Sequence, residues 1–261
     1  MAARRPWYET LFQRDYYDYF FVGGPRGIFT PEQYGKMTDA QVDFVVRALE
    51  LPEGARVLDL CCGHGRHAVR LAQRGYRVTG LDISAYHLRL ASKAAREAGV
   101  AVDWVRGDMR EIPRGAGRFD ATINMFTAFG YFDEEDENQR VLDGVARSLH
   151  KGGRFLIDTL NHDYLMRVFR ERDWQPRPDG SITLERRRYD VRTGRIANEW
   201  TLIAPDGKRR RHRFSHRVYT YLELAGMLSQ AGLHAVRSWG NFDSSDLTME
   251  SPRMIVLAER A

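Results

Sequence analysis

Between Arg56 and Leu160 the chain alternates short apolar runs with amphipathic stretches, and this alternation constrains the fold more than any other feature. "RVLDL" (56–60) suits a strand buried on both faces. A helix is predicted from about Gly65 to Arg74, a strand at "YRVTGLD" (76–82), and a helix from the cap Ser84 to Gly99. "VAVDWVRGD" (100–108), "FDATINMF" (119–126) and "GGRFLIDTL" (152–160) supply three more strands. The helix predicted at 133–150 has acids first and basic residues last, as the macrodipole favours. Repeated βα units imply a parallel sheet with helices on both faces, an α/β fold.

The flanks read differently. Aromatic residues crowd Trp7 to Phe21 and predict a helix broken at "GGPRG" (23–27). A second helix is predicted from about Thr38 to Glu50, burying Val42, Val45, Val46 and Leu49. "ITLERRRYDV" (182–191), "RIANEWTLIA" (195–204) and "RRHRFSHRVYT" (210–220) predict an antiparallel meander with one wet face. The α/β pattern resumes with a helix at 221–232 and strands at 234–240 and 253–259. The expected organisation is one domain: a helical cap (1–37), an α/β core (38–171 and 221–261) and an inserted β lid (172–220).

Composition narrows the class. With 43% hydrophobic and 29% charged residues the chain should be globular. "MAARRPWYET" is followed by no apolar run, and no stretch of about 18 apolar residues occurs, so neither a secretory signal nor a membrane partner is expected. Cys61 and Cys62 are adjacent, which excludes a disulfide framework and fits a cytoplasmic setting. His64/His67 and His212/His216 find no third ligand, so no metal is expected. Net charge is +5, and residues 170–217 alone hold 14 Lys/Arg against 7 Asp/Glu. That excess fits either a nucleic-acid partner or a solvated surface.

The turn "CCGHGRH" (61–67) is the candidate site. Gly63 and Gly65 let the backbone approach a ligand closely. In a dinucleotide enzyme that ligand is a pyrophosphate on the helix N-terminus. Asp59 ends the preceding strand and would repel it, by about 4 kcal/mol for two charges near 4 Å at an effective dielectric of 20. The same carboxylate would attract an ammonium or sulfonium group, so its charge favours S-adenosylmethionine over NAD or FAD. Asp82, followed by Ile83, can accept from both ribose hydroxyls of either cofactor. Asp108 can accept from an adenine amine, with the Met109 backbone beside it. Each acid alone could be a helix or turn cap. Three at successive strand ends, where open α/β sheets bind ligands, favour a cofactor site.

"VLDLCCGHGRHAVRLAQRGYRVTGLDIS", "VRGDMREIP" and "LHKGGRFLIDTLN" resemble three successive motifs of class I S-adenosylmethionine-dependent methyltransferases, over roughly residues 40–160. The resemblance implies a Rossmann-like seven-stranded sheet whose last strand runs antiparallel. It also implies S-adenosylmethionine as cofactor and S-adenosylhomocysteine as product. "INMFTAFGYF" (123–132) and the inserted meander are similar to small-molecule members, including deoxysugar N-methyltransferases. In those the insertion covers the active site or forms a homodimer contact.

Methyl transfer is an in-line displacement in which the protein mainly positions and desolvates. Asn124 after the fourth strand is read as orienting the cofactor amine or the nucleophile. Phe126 and Asn161 are read as bordering the acceptor. His162 is the candidate base, since imidazole titrates near pH 6.5. Tyr16 and Tyr17 can close the site with ring faces or edges toward the sulfonium. The expected partner is a small-molecule acceptor methylated on N or O. The alternatives are an RNA/DNA methyltransferase using the basic segment, a NAD-dependent oxidoreductase, and a non-catalytic binding protein. Against nucleic acid, "NMFT" (124–127) lacks the prolines and aromatic of amino-nucleobase methyltransferases.

Overall fold

The structure is a computed structural model and describes residues 6–14, 16–20, 27, 29–112 and 118–261. Two short helical segments open it, α1 (Trp7–Leu11) and a π-helical turn (Tyr16–Phe20), where the aromatic pattern predicts one continuous helix. The side chains of Tyr19 and Phe20 and the break at 23–26 lie outside the described residues. Helix α2 (Pro31–Leu49) starts seven residues before the predicted Thr38. Thr30 caps it, accepting from Gln33 N while the Gln33 side chain accepts from Thr30 N. This capping box, with proline at the first helical position, fixes the start ahead of the apolar stripe. Val42, Phe44, Val45 and Leu49 are buried from it.

The core alternates β1 (Arg56–Leu60), α3 (Arg66–Gln73), β2 (Arg77–Asp82), α4 (Ala85–Glu97), β3 (Asp103–Arg106), β4 (Phe119–Asn124), α5 (Glu135–Ser148) and β5 (Leu149–Leu160). Ser84 caps α4 as read, accepting from His87 N. Helix α6 (His162–Arg167) then leads into the insertion, and α7 (Tyr221–Gln230), β10 (Leu233–Trp239) and β11 (Arg253–Arg260) follow it. The seven strands order as β10-β11-β5-β4-β1-β2-β3. β11 runs antiparallel to both β5 and β10, as the resemblance implies. Apolar cores fill both faces, one around Leu58, Phe119, Phe155 and Val256, the other around Val57, Ile123, Leu156 and Ile255. No helix among the described residues is long and apolar enough to cross a membrane.

The insertion is a four-stranded antiparallel sheet, one strand more than predicted. β6 (Arg172–Pro176) joins β7 (Ile182–Asp190), β8 (Arg195–Ile203) and β9 (Arg209–Arg217) in that order. "RDWQP" carries no apolar alternation, and pairing with β7 makes it a strand. β9 is stitched to the core where Arg217 N donates to Gly130 O (2.7 Å). Gly130 has φ 94°, and a Cβ there would lie 2.5 Å from Arg217 O, so glycine is required at this seam.

Candidate active site

The C-terminal ends of β1 and β2, the loop after β4 and the N-terminal segments enclose a partly open cavity with about 970 Å³ of empty space, its mouth included. Asp59, Gly63, Asp82, Ile83, Asp108 and Met109 all line it, as do Tyr16, Tyr17 and Phe126. The structure therefore brings nine of the sequence-predicted residues together.

Asp59 is 1% exposed. Its Oδ2 has no hydrogen-bond partner. Burial pushes its acid up to about 7, against the pull of Arg66. An unpartnered buried carboxylate on a cavity wall is costly and fits a site that receives a cation. Asp82 is held by Gly63 N and Ser84 N, both at 2.8 Å. Burial raises it to about 6 despite these two donors. The backbone bonds aim the carboxylate, and its remaining lone pairs suit ribose hydroxyls.

The two glycines do different work. Gly63 has φ 55° and lines the cavity, and the nearest atom to a Cβ there is His87 Nδ1 at 4.0 Å. Gly65 has φ 79° and does not line it. A Cβ on Gly65 would stand 2.6 Å from Trp104 and 2.8 Å from Ala91. Close packing of α3 on α4 and β3, rather than ligand approach, requires glycine there. Burial drives both cysteine thiols well up, so neither is a nucleophile at neutral pH.

Asp108 is bound by Arg110 through two nitrogens, at 2.6 and 3.1 Å. Arg110 also pairs with Glu137, reaches Tyr8 OH at 3.3 Å and lies over the Phe132 ring. The acid is thus positioned at the rim by a cation that also anchors α1. Asn124 is buried behind the cavity wall, where its Nδ2 donates to Leu60 O and ties β4 to β1. Its Oδ1 has no partner.

Asn161 and His162 are not among the cavity-lining residues. Asn161 caps α6, and its amide donates to the carbonyls of Thr248 and Ser251. His162 faces Tyr189 OH at 2.9 Å and Asp163 at 3.0 Å. Their position after β5 was readable, but the turn into α6 takes them to the insertion instead. Asp158, also buried, is spent on structure. It accepts from Phe126 N and from Arg253, whose Nη2 also donates to Thr127. These bonds hold Phe126 and Thr127 at φ 63° and 60°, a left-handed pair that non-glycine residues rarely adopt.

Sequence reasoning missed several wall residues. Tyr8, Phe12, His87, Tyr131 and Phe132 line the cavity. Arg66, which the turn already placed at the helix start facing the ligand, is a half-buried cation on the same wall. Arg66 donates to Thr38 and Gln41 of α2 and lies over the rings of Tyr34 and Phe126. His64 is pushed down to about 3 and His87 to about 4, chiefly by burial, so both are neutral. The N-terminal segment spans the mouth. Ser84 Oγ donates to Phe12 O (2.6 Å), while Tyr16 stacks on Trp200 of the insertion. Only the aromatic density of 7–20 signalled this role.

Residues 57–153 match the methyltransferase domain family. The Bacillus subtilis protein YqeM, named as a methyltransferase, is 24% identical over 81% of this chain and 86% of its own length. Among solved structures, the methyltransferase CcbJ of Streptomyces caelestis superposes with a TM-score of 0.81 at 21% identity, covering 99% of each chain. CalS10 of Micromonospora echinaspora, an amino pentose methyltransferase solved with S-adenosylmethionine bound, gives 0.65 at 23% identity over 89% of this chain and 98% of its own. The motif turn, the sheet order with its antiparallel β11 and these matches agree on the fold of S-adenosylmethionine-dependent methyltransferases, with the methyltransferase domain signature on residues 57–153.

Proposed function

We propose that the chain is an S-adenosylmethionine-dependent methyltransferase that transfers a methyl group to nitrogen or oxygen of a small-molecule acceptor. The observation carrying this reading is the aromatic closure of the cavity. Phe12, Tyr16, Tyr17, Phe126, Tyr131 and Phe132 wall the space beside Asp59 and Asp82. Ring contacts link Phe12 to Tyr16 and Tyr131 across it. The amino pentose activity of CalS10 supports a small polar acceptor of this kind. The free thiols of Cys61 and Cys62 support a cytoplasmic setting.

S-adenosylmethionine, when bound, supplies an electrophilic methyl on a sulfonium leaving group. The chain's own residues do the rest. Asp59 offers a buried negative charge to the cationic end, and Arg66 offers a cation to a carboxylate. Asp82 holds the ribose side, and Asp108 with Met109 borders the adenine side. The aromatic wall excludes water and presents ring faces where positive charge is held. An amine acceptor needs its lone pair free and aligned, which positioning alone provides.

The test is a turnover screen of amines, carboxylic acids and phenols with methyl-labelled cofactor. Label transfer to one class, abolished by Asp82→Ala, is expected. Transfer to bulk RNA or protein with none to any small molecule would refute the reading.

A further inference from the structure

Pairing of β6–β9 assembles a basic face that the linear sequence does not display. On β7, Arg186 and Arg188 are exposed while Thr183 and Glu185 are buried. Strand register carries the exposed face across the sheet. Arg172, Arg186, Glu199 and Arg213 form one row, and Trp174, Leu184, Thr201 and Arg211 form the next. Arg209 extends β9 beyond them, so this edge strand presents three arginines at intervals of about 7 Å.

In these two rows Glu199 is the one carboxylate beside four arginines, and Asp190 follows Arg188 on the same face of β7. Glu199 bonds Arg213 at 2.6 Å and lies 3.7 Å from Arg211. Among the described residues, Arg172, Arg186, Arg188 and Arg209 have no ion pair. Arg172 and Arg186 stand directly opposite each other, an arrangement that destabilises a sheet unless something neutralises it. Next to that pair Trp174 is 61% exposed, cross-strand from the exposed Leu184. Among the described residues, none of these arginines lines the active-site cavity, so the active site does not account for them.

We propose that this outer face of the insertion is a docking surface for single-stranded nucleic acid. Charge complementarity selects a polyanion. Arginine selects phosphate, because the planar guanidinium matches its oxygens in a way lysine does not. The exposed indole selects an unpaired strand, whose bases can stack where those of a duplex cannot. The surface binds; it is not the acceptor site.

The test uses the intact protein and a labelled oligouridylate of about 12 nucleotides, read by fluorescence anisotropy from 50 to 200 mM salt. Saturable, salt-sensitive binding is expected. The Arg172→Ser/Arg186→Ser/Arg188→Ser variant should bind at least about tenfold more weakly. Its log–log salt slope should be shallower by about 2, at roughly 0.7 per phosphate contact on a single strand. Trp174→Ala should weaken binding about fivefold or more. Unchanged S-adenosylhomocysteine affinity in both variants shows that the fold is intact. Absence of binding at 50 mM salt would overturn the proposal. So would equal binding by the triple variant, or equally tight binding of polyglutamate or phosphatidylserine vesicles.

Discussion

Cofactor binding should release a proton from Asp59, and the structure sets how large the effect is. In the free protein this buried acid titrates at about 7, and Asp82 at about 6. A cationic ligand end beside Asp59 favours its ionised form, so the bound state is the deprotonated one. At pH 6.5 Asp59 is then about three-quarters protonated and Asp82 about one-quarter. Full ionisation on binding releases about one proton. Linkage requires affinity to rise with pH, by about 30-fold between pH 5.5 and 8 from Asp59 alone. Calorimetry with S-adenosylhomocysteine in buffers of different ionisation enthalpy measures the released proton directly. Asp59→Asn should cut the release to about a quarter of a proton and flatten most of the pH dependence. Proton release unchanged in Asp59→Asn, or affinity independent of pH in the parent, would refute the assignment of Asp59 to the cationic end.

The same acid should shape the stability of the free protein. Its folded value lies above the unfolded value of 3.8, so its stabilising protonation is complete below pH 3.8 and is lost as pH rises through 7. Urea denaturation should therefore show Asp59→Asn more stable than the parent at pH 8, with the gap closing toward pH 5. Gly65→Ala should destabilise by about 2–4 kcal/mol, since a methyl must fit against Trp104 and Ala91 in a left-handed backbone, and the same denaturation series checks it. Arg253→Ala leaves Asp158 buried without its cation and should cost about 3 kcal/mol. Because Asp158 also holds Phe126 and Thr127, that variant should lose turnover more than S-adenosylhomocysteine affinity. Equal loss of both would show that the left-handed pair does not position the acceptor side.

The α/β core was legible because its signals are local. The strand at 56–60, the Ser84 cap and the charge order of α5 each sit within one or two turns of chain. The start of α2 was equally local, in "TPEQ", yet the apolar stripe beginning at Val42 drew the predicted start to Thr38. Gly35 inside the first turns further diluted the helical pattern. β6 is a strand only because β7 lies beside it. The cofactor acids could be read from their place at strand ends, since the topology carries those ends to one edge. The acceptor half could not. Tyr131, His87 and Phe12 come from three distant segments, and their meeting depends on how the N-terminal segment crosses the mouth. Asn161 and His162 failed to reach the cavity for the converse reason, because capping α6 turned them away.

The seam at Gly130 separates two supports of the cavity. The insertion leaves the core after α6, returns at α7, and is held beside the cavity by bonds that include Arg217 N to Gly130 O, Arg195 to the carbonyls of Tyr131 and Phe132 and to Asp133, and Tyr189 to His162. None of these touches the strand ends that carry Asp59 and Asp82. The cofactor acids and the insertion therefore meet the cavity through separate supports, so a change in the insertion need not displace the strand ends. Gly130 is the point where the two are locked together, because any side chain there would collide with the backbone of Arg217.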